Sequence, residues 1–320
     1  MTASGTTAIL ADIGATNARF ALLDGGTLSS VTTYAVADYA SSLDAVRAFL
    51  AGPAAGHNPT AAALAAAGPV VNGRVSMTNA AWTIDAQRLQ EALEIPAVHV
   101  LNDFEALGHS LPALTADDLF VIGDAELADA GTMAVMGPGT GFGLAALARG
   151  PAGDAVLVTE GGHATLPAEN RREEAIIRTL REQVHHVSVE RVLSGPGLVS
   201  LYHAVAVVDG LVVRERTSAE IVDHALAGDC EGSVATLEAF CAFLGGVAGN
   251  VALTLGATGG VFVAGGIAPR FTDFLRRSAF RERFESKGRM GAYLSRIPTA
   301  VVTHRNPAFL GLARMMAAGD

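Results

Sequence analysis

The spacing of apolar and polar positions over the first hundred residues predicts strands that alternate with helices. The stretch "SSLDAVRAFLAG" combines a serine cap with helical spacing, and "DAQRLQEAL" has the pattern of a short amphipathic helix. Short apolar runs bounded by glycine or polar residues predict the strands. The strand candidates are "TAILADIG", "ARFALLDGG", "TAAALAAAGPV", "VSMTNAAWTID" and "AVHVLND". This alternation indicates an α/β fold.

The middle of the chain repeats the pattern of its beginning. Residues 9–26 and 133–150 both run as an apolar strand, a Gly/Thr turn and a second apolar strand. The aligned stretches share Thr16 with Thr140, Ala21 with Ala145, Leu23 with Leu147 and Gly26 with Gly150. The alignment predicts a duplicated α/β unit with a similar loop in each half. Because the identity is low, chance similarity stays open as the alternative.

The second half of the chain has longer predicted helices. The stretch "AENRREEAIIRTLREQV" is strongly amphipathic, and its charge run at 169–174 is interpreted as a solvated helix face. Residues 239–269 carry no charge and are long enough to span a bilayer. They are also rich in glycine and contain Asn250, so a buried helix at 239–255 and a buried strand at 260–264 are the better interpretation.

The charge and cysteine content exclude several classes of protein. The chain has 320 residues, with 32 acidic and 22 basic side chains and a formal charge of −10. This balance argues against binding to nucleic acid or to anionic membranes. Two cysteines make neither a disulfide framework nor a structural zinc site, which fits a reducing cytosol. The N-terminus has no basic region and Asp12 interrupts its apolar run, so we expect no signal peptide and a cytoplasmic protein.

Lysine is nearly absent, since Lys287 is the only one. No glycine loop ends in lysine, which excludes a Walker A motif, and no strand carries the lysine that a protein kinase needs. A pyridoxal enzyme would have to use Lys287, whose charged surroundings make a poor Schiff-base pocket.

Three glycine loops follow predicted strands. They are "DIGATN" at 12–17, "GPGTGFG" at 137–143 and "VAGG" at 263–266. Glycine lets several backbone N–H groups approach one anion, and the carboxylate of Asp12 suits Mg²⁺ bound through water. Ordinary hairpin turns are the alternative. A dinucleotide site is another, because "GFGLAA" at 141–146 matches G-x-G-x-x-A, although "RGPAG" cuts off the helix that should follow.

A set of polar residues stands in apolar, glycine-rich surroundings. Taken singly, Asp103 would be an N-cap, His163 a loop histidine and Glu190 a first-turn helix acid. Taken together with Asn102 and Glu160, they supply donors and acceptors for a polyhydroxy ligand. One carboxylate of the set would also accept a proton from an attacking hydroxyl.

The order of these motifs resembles one family along nearly the whole chain. The motifs are "DIGATNARFAL", "MTNAAWTI", "LNDFEA", "GPGTGFG", "EGGH", "VERVLSGPGL", "GGVFVAGGIAPRF" and "NPAFLGLA". The chain resembles bacterial glucokinases of the non-zinc group, in the actin–hexokinase–Hsp70 ATPase superfamily. One departure is Ala15, where the family usually has a second glycine, so a negative φ or some strain is expected there. The zinc motif of the related repressor–kinase sugar kinases is not expected, because only two cysteines are present.

The resemblance implies transfer of a phosphoryl group from ATP, with Mg²⁺ and without zinc, to the 6-hydroxyl of glucose. Asp103 resembles the catalytic base, and the sugar-binding residues would be Asn102, Glu160, His163 and Glu190. The first phosphate loop would comprise Asp12, Gly14, Ala15, Thr16 and Asn17; the second, Gly137, Thr140 and Gly141; the adenosine loop, Gly265 and Gly266. Asp12 would also hold Mg²⁺ through water.

The resemblance also implies the architecture and assembly. It implies two duplicated actin-like, ribonuclease H-like α/β domains around a cleft. The small domain would comprise residues 1–110 and 303–320, the large domain residues 111–302, and the protein would be a homodimer. Two other functions stay open: a catalytically inactive sugar-sensing regulator on the same fold, and an NAD-dependent enzyme using the loop at 141–146. The breadth of hexose specificity and the choice among ATP, ADP and polyphosphate are also open.

Overall fold

The computed structural model describes residues 7–77, 82–127, 130–151 and 153–318. Part of the "MTNAAWTI" motif, residues 78–81, lies outside this range. The chain divides into two compact units. The first comprises residues 1–114 and 305–320, and the second residues 115–304.

The elements follow one another in an order that mixes strands and helices. Those up to residue 110 are β1 (Thr7–Ile13), β2 (Asn17–Asp24), β3 (Thr27–Leu28), β4 (Thr32–Ala35), α1 (Ser42–Ala51), β5 (Ala61–Ala66), β6 (Arg74–Ser76), β7 (Thr83–Asp85), α2 (Ala86–Leu93), β8 (Ala97–Asn102) and α3 (Asp103–Ser110). The second unit contains β9 (Leu119–Ile122), β10 (Met133–Pro138), β11 (Phe142–Gly150), β12 (Gly153–Thr159), α4 (Arg171–Arg181), α5 (Val189–Val192), α6 (Gly195–Asp209), α7 (Ser218–Ala227), α8 (Glu231–Leu255), β13 (Gly260–Val263), α9 (Thr272–Arg277), α10 (Phe280–Glu285), α11 (Gly291–Leu294) and β14 (Thr299–Val302). The last helix, α12 (Pro307–Ala318), belongs to the first unit.

The first unit is a sheet with helices on both faces. Its strand order is β3-β2-β1-β5-β8, with β4 also paired to β2. Strand β2 runs antiparallel to β1, whereas β5 runs parallel to both β1 and β8. Alternate residues of β1 face opposite cores: Ile9 packs in the core that contains Phe49 of α1, and Leu10 in the core that contains Phe309 of α12.

The last helix packs very closely against α3. A Cβ atom on Gly311 of α12 would lie 1.8 Å from the carbonyl oxygen of Ala106, so no side chain fits at this position. Phe309 and Leu312 on the same helix are buried against the sheet of the first unit. Helix α12 therefore belongs to the same core as α3, the helix that begins at the end of β8.

The second unit contains a six-stranded sheet of order β12-β11-β10-β13-β14-β9. Strand β10 pairs antiparallel with β11 and parallel with β13, and β14 continues the parallel side. The first unit has the same sequence of pairings around β1. The two stretches aligned in the sequence, residues 9–26 and 133–150, thus contain corresponding hairpins, β1–β2 and β10–β11.

The long uncharged segment forms a core helix and a strand. Within the described residues, α8 is the one helix long and apolar enough to cross a membrane. However, 72% of its apolar window is buried inside the protein, and Phe240 and Leu244 have no exposed surface. The interpretation of this segment as a buried helix followed by the buried strand β13 is confirmed.

The charge run at 169–174 is exposed at residues 170–172 and 174, as predicted for a solvated face, but Glu173 within it is buried. The side chain of Glu173 is only 5% exposed, and both its oxygens accept hydrogen bonds from Arg283, at 2.7 and 3.0 Å. Glu169 lies 3.1 Å from Arg283 and is also paired with Lys287. The sequence pattern missed this cluster because its basic members lie more than a hundred residues further along the chain.

We expect Glu173→Gln to lower the free energy of unfolding by about 3 kcal/mol, because it leaves a mostly buried guanidinium with one carboxylate instead of two. The matched control is Glu174→Gln, since Glu174 is exposed on the same helix and should change stability by less than about 0.5 kcal/mol. Urea denaturation measures both variants. Equal free energies of unfolding for the two variants would show that the Glu173–Arg283 pair contributes nothing to stability.

Candidate functional site

The first glycine loop is a tight turn between β1 and β2. The N–H of Gly14 donates to the carbonyl oxygen of Asn17 at 2.9 Å, and the carbonyl oxygen of Thr16 accepts from Val36 at 2.9 Å. Among described residues other than glycine, only Asn72 and Glu94 have a positive φ. Ala15 therefore has a negative φ, and alanine is accommodated in this loop without backbone strain.

Asp12 lies at the end of β1 beside an arginine that the sequence analysis did not select. Arg19 is its cross-strand partner on β2, with Nη1 3.1 Å from Oδ2 of Asp12. Burial raises the pKa of Asp12, and Arg19 partly opposes this shift. A hydrated cation at the partly exposed carboxylate would favour its charged form, so the residue fits the predicted magnesium role. No register was predicted for this hairpin from the sequence, and the cross-strand pairing that identifies Arg19 follows only from that register.

The end of β8 begins α3, and Asn102 rather than Asp103 is the N-cap. The Oδ1 atom of Asn102 accepts from the N–H groups of Phe104 and Glu105, at 2.9 and 3.3 Å, and Nδ2 donates to Gly68 at 3.0 Å. The interpretation of Asp103 as an N-cap was wrong. With both lone pairs of Oδ1 engaged, one N–H of the Asn102 amide is left for a ligand.

Asp103 occupies the first turn of α3, where the helix dipole favours a negative charge. Its Oδ1 atom lies 3.0 Å from the N–H of Phe104. The parallel register places Asn102 beside Ala66, and Ala66 beside Ile13. The turn after β1 and the Asn102–Asp103 pair thus lie at the same, carboxyl edge of the sheet, where α/β folds bind ligands.

Glu105 completes the start of this helix and was missed from the sequence. Its carboxylate accepts the backbone N–H of Asn102 at 3.2 Å, which makes a capping box with the Asn102 side chain. Burial raises the pKa of Glu105, and the hydrogen bond from Asn102 opposes that shift. The spacing Asn-x-x-Glu was the available signal.

The second glycine loop contacts the third one within the second unit. Gly137 leaves no room for a side chain, because a Cβ atom would lie 1.9 Å from the carbonyl oxygen of Ala264. Gly265 has a φ of +88°, and a Cβ atom there would lie 2.4 Å from the carbonyl oxygen of Pro138. Gly266, next in the chain, borders open space. The structure therefore brings together the loops predicted to bind phosphate and adenosine.

Glu190 is fixed against the second glycine loop. Its Oε2 atom accepts the N–H of Phe142 at 2.8 Å, and it fills the space that a Cβ atom on Gly141 would need, at 2.4 Å. Glu190 also lies in the first turn of α5, as one interpretation proposed. One carboxylate oxygen is thus committed to the backbone, and the other faces His163.

The structure brings the three predicted sugar-binding residues of the second unit together. His163 lies between two carboxylates, with Nε2 3.9 Å from Glu160 and Nδ1 3.9 Å from Glu190. The side chains of Glu160 and His163 are about 60% exposed and that of Glu190 is 33% exposed. A β-bridge between Thr165 and Ser188 holds their segments side by side. These groups form an open set of hydrogen-bonding partners.

The structure places the predicted site residues in two groups. The first unit holds Asp12, Gly14, Ala15, Thr16, Asn17, Asn102 and Asp103, and the second holds Gly137, Thr140, Gly141, Glu160, His163, Glu190, Gly265 and Gly266. Within the described ranges, no three side chains of His, Cys, Asp or Glu cluster as metal ligands.

Comparison with known proteins identifies the family. The glucokinase family model matches residues 9–319. The chain belongs to the glucokinase family. It is 42% identical to a glucokinase from Nitrobacter hamburgensis over 307 residues, covering 96% of each chain. It is 44% identical to one from Paramagnetospirillum magneticum over 312 residues, covering 96% of this chain and 97% of the relative.

A solved glucokinase has the same fold. The glucokinase from an Antarctic psychrotroph superposes with a TM-score of 0.89 at 38% identity, covering 98% of this chain and 99% of that one. The mixed α/β sheets described above are therefore those of a glucokinase, consistent with an actin-like ATPase fold.

We expect Glu105→Ala to lower the free energy of unfolding by about 1 kcal/mol, because the N–H of Asn102 loses its acceptor. Glu105→Gln keeps an oxygen that can accept this hydrogen bond, and it removes a charge that burial disfavours. Its free energy of unfolding should therefore fall by less than that of Glu105→Ala. The favourable contribution of a carboxyl group with a raised pKa is present at acid pH and lost as pH rises through that pKa. The stability of Glu105→Gln relative to that of wild type, measured by urea denaturation, should thus rise as the pH is raised through this pKa. Equal destabilisation of both variants would contradict the capping role.

Proposed function

We propose that this chain transfers the γ-phosphoryl group of ATP to the 6-hydroxyl of glucose, with Asp103 as the general base. Membership of the glucokinase family over nearly the whole chain supports the reaction. The observation that carries the choice of base is the position of Asp103 in the first turn of α3, directly after the residue that caps the helix. A carboxylate there is held at the ligand-binding edge of a sheet.

In the proposed mechanism the proton moves late. A sugar hydroxyl is a poor acid, so Asp103 needs to accept the proton only as the new P–O bond forms. Asn102 donates its remaining amide N–H to the sugar, since the rest of its amide is engaged by backbone groups. Alignment of the hydroxyl with the phosphoryl group supplies most of the rate enhancement.

The sugar is recognised, in this proposal, by Glu160, His163 and Glu190. The free oxygen of Glu190 accepts one sugar hydroxyl, and its orientation is fixed by the N–H of Phe142 on the other oxygen. Glu160 accepts another hydroxyl, and charge-assisted bonds of this kind are stronger than neutral ones. His163 supplies a ring nitrogen between them.

ATP is bound through the glycine loops. Backbone N–H groups and threonine hydroxyls at Gly14–Asn17 and at Gly137, Thr140 and Gly141 contact the phosphates, and Gly265–Gly266 the adenosine. Phosphate binding without lysine is supported by the pairing of Lys287, the single lysine of the chain, with Glu169. Asp12 would hold Mg²⁺ through water, and the ion would neutralise phosphate charge when bound.

The architecture and assembly belong to the same proposal. We infer that the chain forms two duplicated actin-like domains, a small one predicted to comprise residues 1–110 and 303–320 and a large one predicted to comprise residues 111–302. The two compact units, residues 1–114 with 305–320 and residues 115–304, support this division. The shared order of strand pairings around β1 and β10 supports this. The two free cysteines support a cytoplasmic location, and the family resemblance supports a homodimer.

We expect Asp103→Asn to lower kcat by at least about a hundredfold and to leave the Kd of glucose within about threefold, because an amide accepts no proton. Formation of glucose 6-phosphate and calorimetric titration with glucose measure the two effects. Asp117→Asn, an exposed aspartate on a short 3-10 helix, is the control and should retain full activity.

Near-normal turnover of Asp103→Asn would remove Asp103 as the base. Glucose binding without product from the wild type would instead favour the sugar-sensing alternative. A change in nicotinamide absorbance without coupling enzymes would favour the dinucleotide alternative.

We expect Gly141→Ala to raise the Kd of glucose by about tenfold, because the new Cβ would occupy the space of the Glu190 carboxylate. Gly139→Ala is the matched control in the same loop. A Cβ atom there meets nothing within 4 Å, so the Kd of glucose should stay within about twofold. Calorimetry with glucose alone separates this effect from nucleotide binding. Equal affinities of the two variants would argue against Glu190 as a sugar ligand.

A further inference from the structure

The main chain of Phe142 contacts the proposed sugar-binding segments from within the proposed phosphate loop. Phe142 belongs to the loop at 137–143, and it is buried. Its N–H donates to Oε2 of Glu190 at 2.8 Å. Its carbonyl oxygen lies against Gly162, where an added Cβ atom would collide with it. One residue of the loop therefore contacts the two segments that carry Glu190 and His163.

The segment that carries Glu190 contacts the loop at both of its ends. At the first end, the Glu190 carboxylate occupies the space that a side chain on Gly141 would need. At the other end, just beyond α5, the N–H of Gly195 donates to the carbonyl oxygen of Gly139 at 2.9 Å. The N–H of Gly139 in turn donates to the carbonyl oxygen of Gly141 at 2.8 Å, within the loop. Because closely packed segments move together, a shift of either one changes the position of the other.

The second carboxylate oxygen of Glu190 faces the other sugar-binding candidates. Oε1 lies 3.9 Å from Nδ1 of His163, and the Glu190 side chain is 33% exposed. The two oxygens of a carboxylate belong to one rigid plane. A hydroxyl that binds Oε1 therefore also restricts the position of Oε2, and with it the N–H of Phe142.

Glu160 is a candidate of the same kind without a connection to the loop. Its carboxylate lies 3.9 Å from Nε2 of His163, and its side chain is 60% exposed. Among the described residues, this carboxylate forms no hydrogen bond with the loop at 137–143. The chain thus offers two sugar-binding candidates that differ in their attachment to the loop.

The attachment of Glu190 has a thermodynamic consequence. Backbone N–H groups bind phosphate well only when several of them point at one anion, so ordering the loop costs conformational entropy. The ligand that binds first orders the loop, and the second ligand then binds to a loop that is already ordered. Such an effect is reciprocal, because each ligand must change the affinity of the other by the same factor.

We propose that the hydrogen bond from the N–H of Phe142 to Glu190 couples the binding of the sugar to the binding of the nucleotide phosphates. This inference rests on the proposed function, which assigns the sugar to Glu190 and the phosphates to the loop. Glu190 is then a positioning residue for the loop as well as a sugar ligand. Coupling of this kind favours ATP binding when the acceptor sugar is present, which limits phosphoryl transfer to water.

The test measures the coupling as a ratio of two dissociation constants of the whole protein. Calorimetry gives the Kd of the β,γ-imido analogue of ATP with Mg²⁺, first without glucose and then at a saturating glucose concentration chosen for each variant. We expect glucose to lower this Kd by about fivefold to tenfold in the wild type. The analogue should lower the Kd of glucose by the same factor. A ratio of one in the wild type would overturn the proposal.

Three variants separate loop attachment from sugar binding. Glu190→Ala removes the acceptor of the Phe142 N–H and should reduce the ratio to about twofold or less. Glu160→Ala should weaken glucose binding and keep the ratio of the wild type. Glu190→Gln keeps an oxygen for the Phe142 N–H, so it should keep most of the ratio. Equal ratios for Glu190→Ala and Glu160→Ala, or a ratio of Glu190→Gln as low as that of Glu190→Ala, would overturn the proposal.

Adenosine provides a control in the wild type itself. It has no phosphates and is assigned to Gly265 and Gly266, so glucose should change its Kd by less than about twofold. A change as large as that of the ATP analogue would overturn coupling through the phosphate loop. This comparison keeps the test valid if circular dichroism shows that Glu190→Ala does not fold.

Failure of the coupling and failure of the proposed function give different results. A wild type that forms glucose 6-phosphate but has a ratio of one contradicts the coupling alone. A wild type that does not bind glucose contradicts both, because Glu190 then has no sugar to report.

Discussion

The candidate site residues of the second unit depend on how closely other backbone segments approach the hairpin β10–β11. At Gly137 and Gly265 a single added Cβ atom would collide with a carbonyl oxygen of a neighbouring segment, and at Gly141 it would collide with the carboxylate of Glu190. That carboxylate is held by the N–H of Phe142. Protein interiors relax little around an extra atom, so these glycines fix where the proposed sugar and nucleotide ligands lie.

The first unit meets a different constraint at the start of α3. Four N–H groups at a helix start lack partners within the helix, and Asn102 and Glu105 use their polar atoms to correct this. Most of the Asn102 amide is therefore structural, although its position made it a sugar-binding candidate. Asp103 follows the cap in the first turn of α3, and its Oδ1 atom also accepts the N–H of Phe104, so the proposed base is held in place by the helix start.

Several basic side chains of this protein form ion pairs with acidic side chains and are not part of the proposed phosphate loops. An acidic protein that handles polyanionic phosphates would be expected to place lysine or arginine in its phosphate loops. Here Lys287 and Arg283 lie in a mostly buried cluster with Glu169 and Glu173, and Arg19 pairs with Asp12. The loops at residues 12–17 and 137–143 contain no lysine or arginine, so the proposed phosphate contacts there would come mainly from backbone N–H groups.

The sequence by itself determined the α/β class, the strands, the glycine loops and the family, because apolar periodicity and turn residues are local signals. It also selected Glu160, His163 and Glu190, which the structure brings together. Only the tertiary structure decided that Glu173 is buried against Arg283 and that Arg19 lies beside Asp12. The partner of Glu173 lies 110 residues further along the chain, and whether a polar side chain is solvated or paired depends on what folding places beside it.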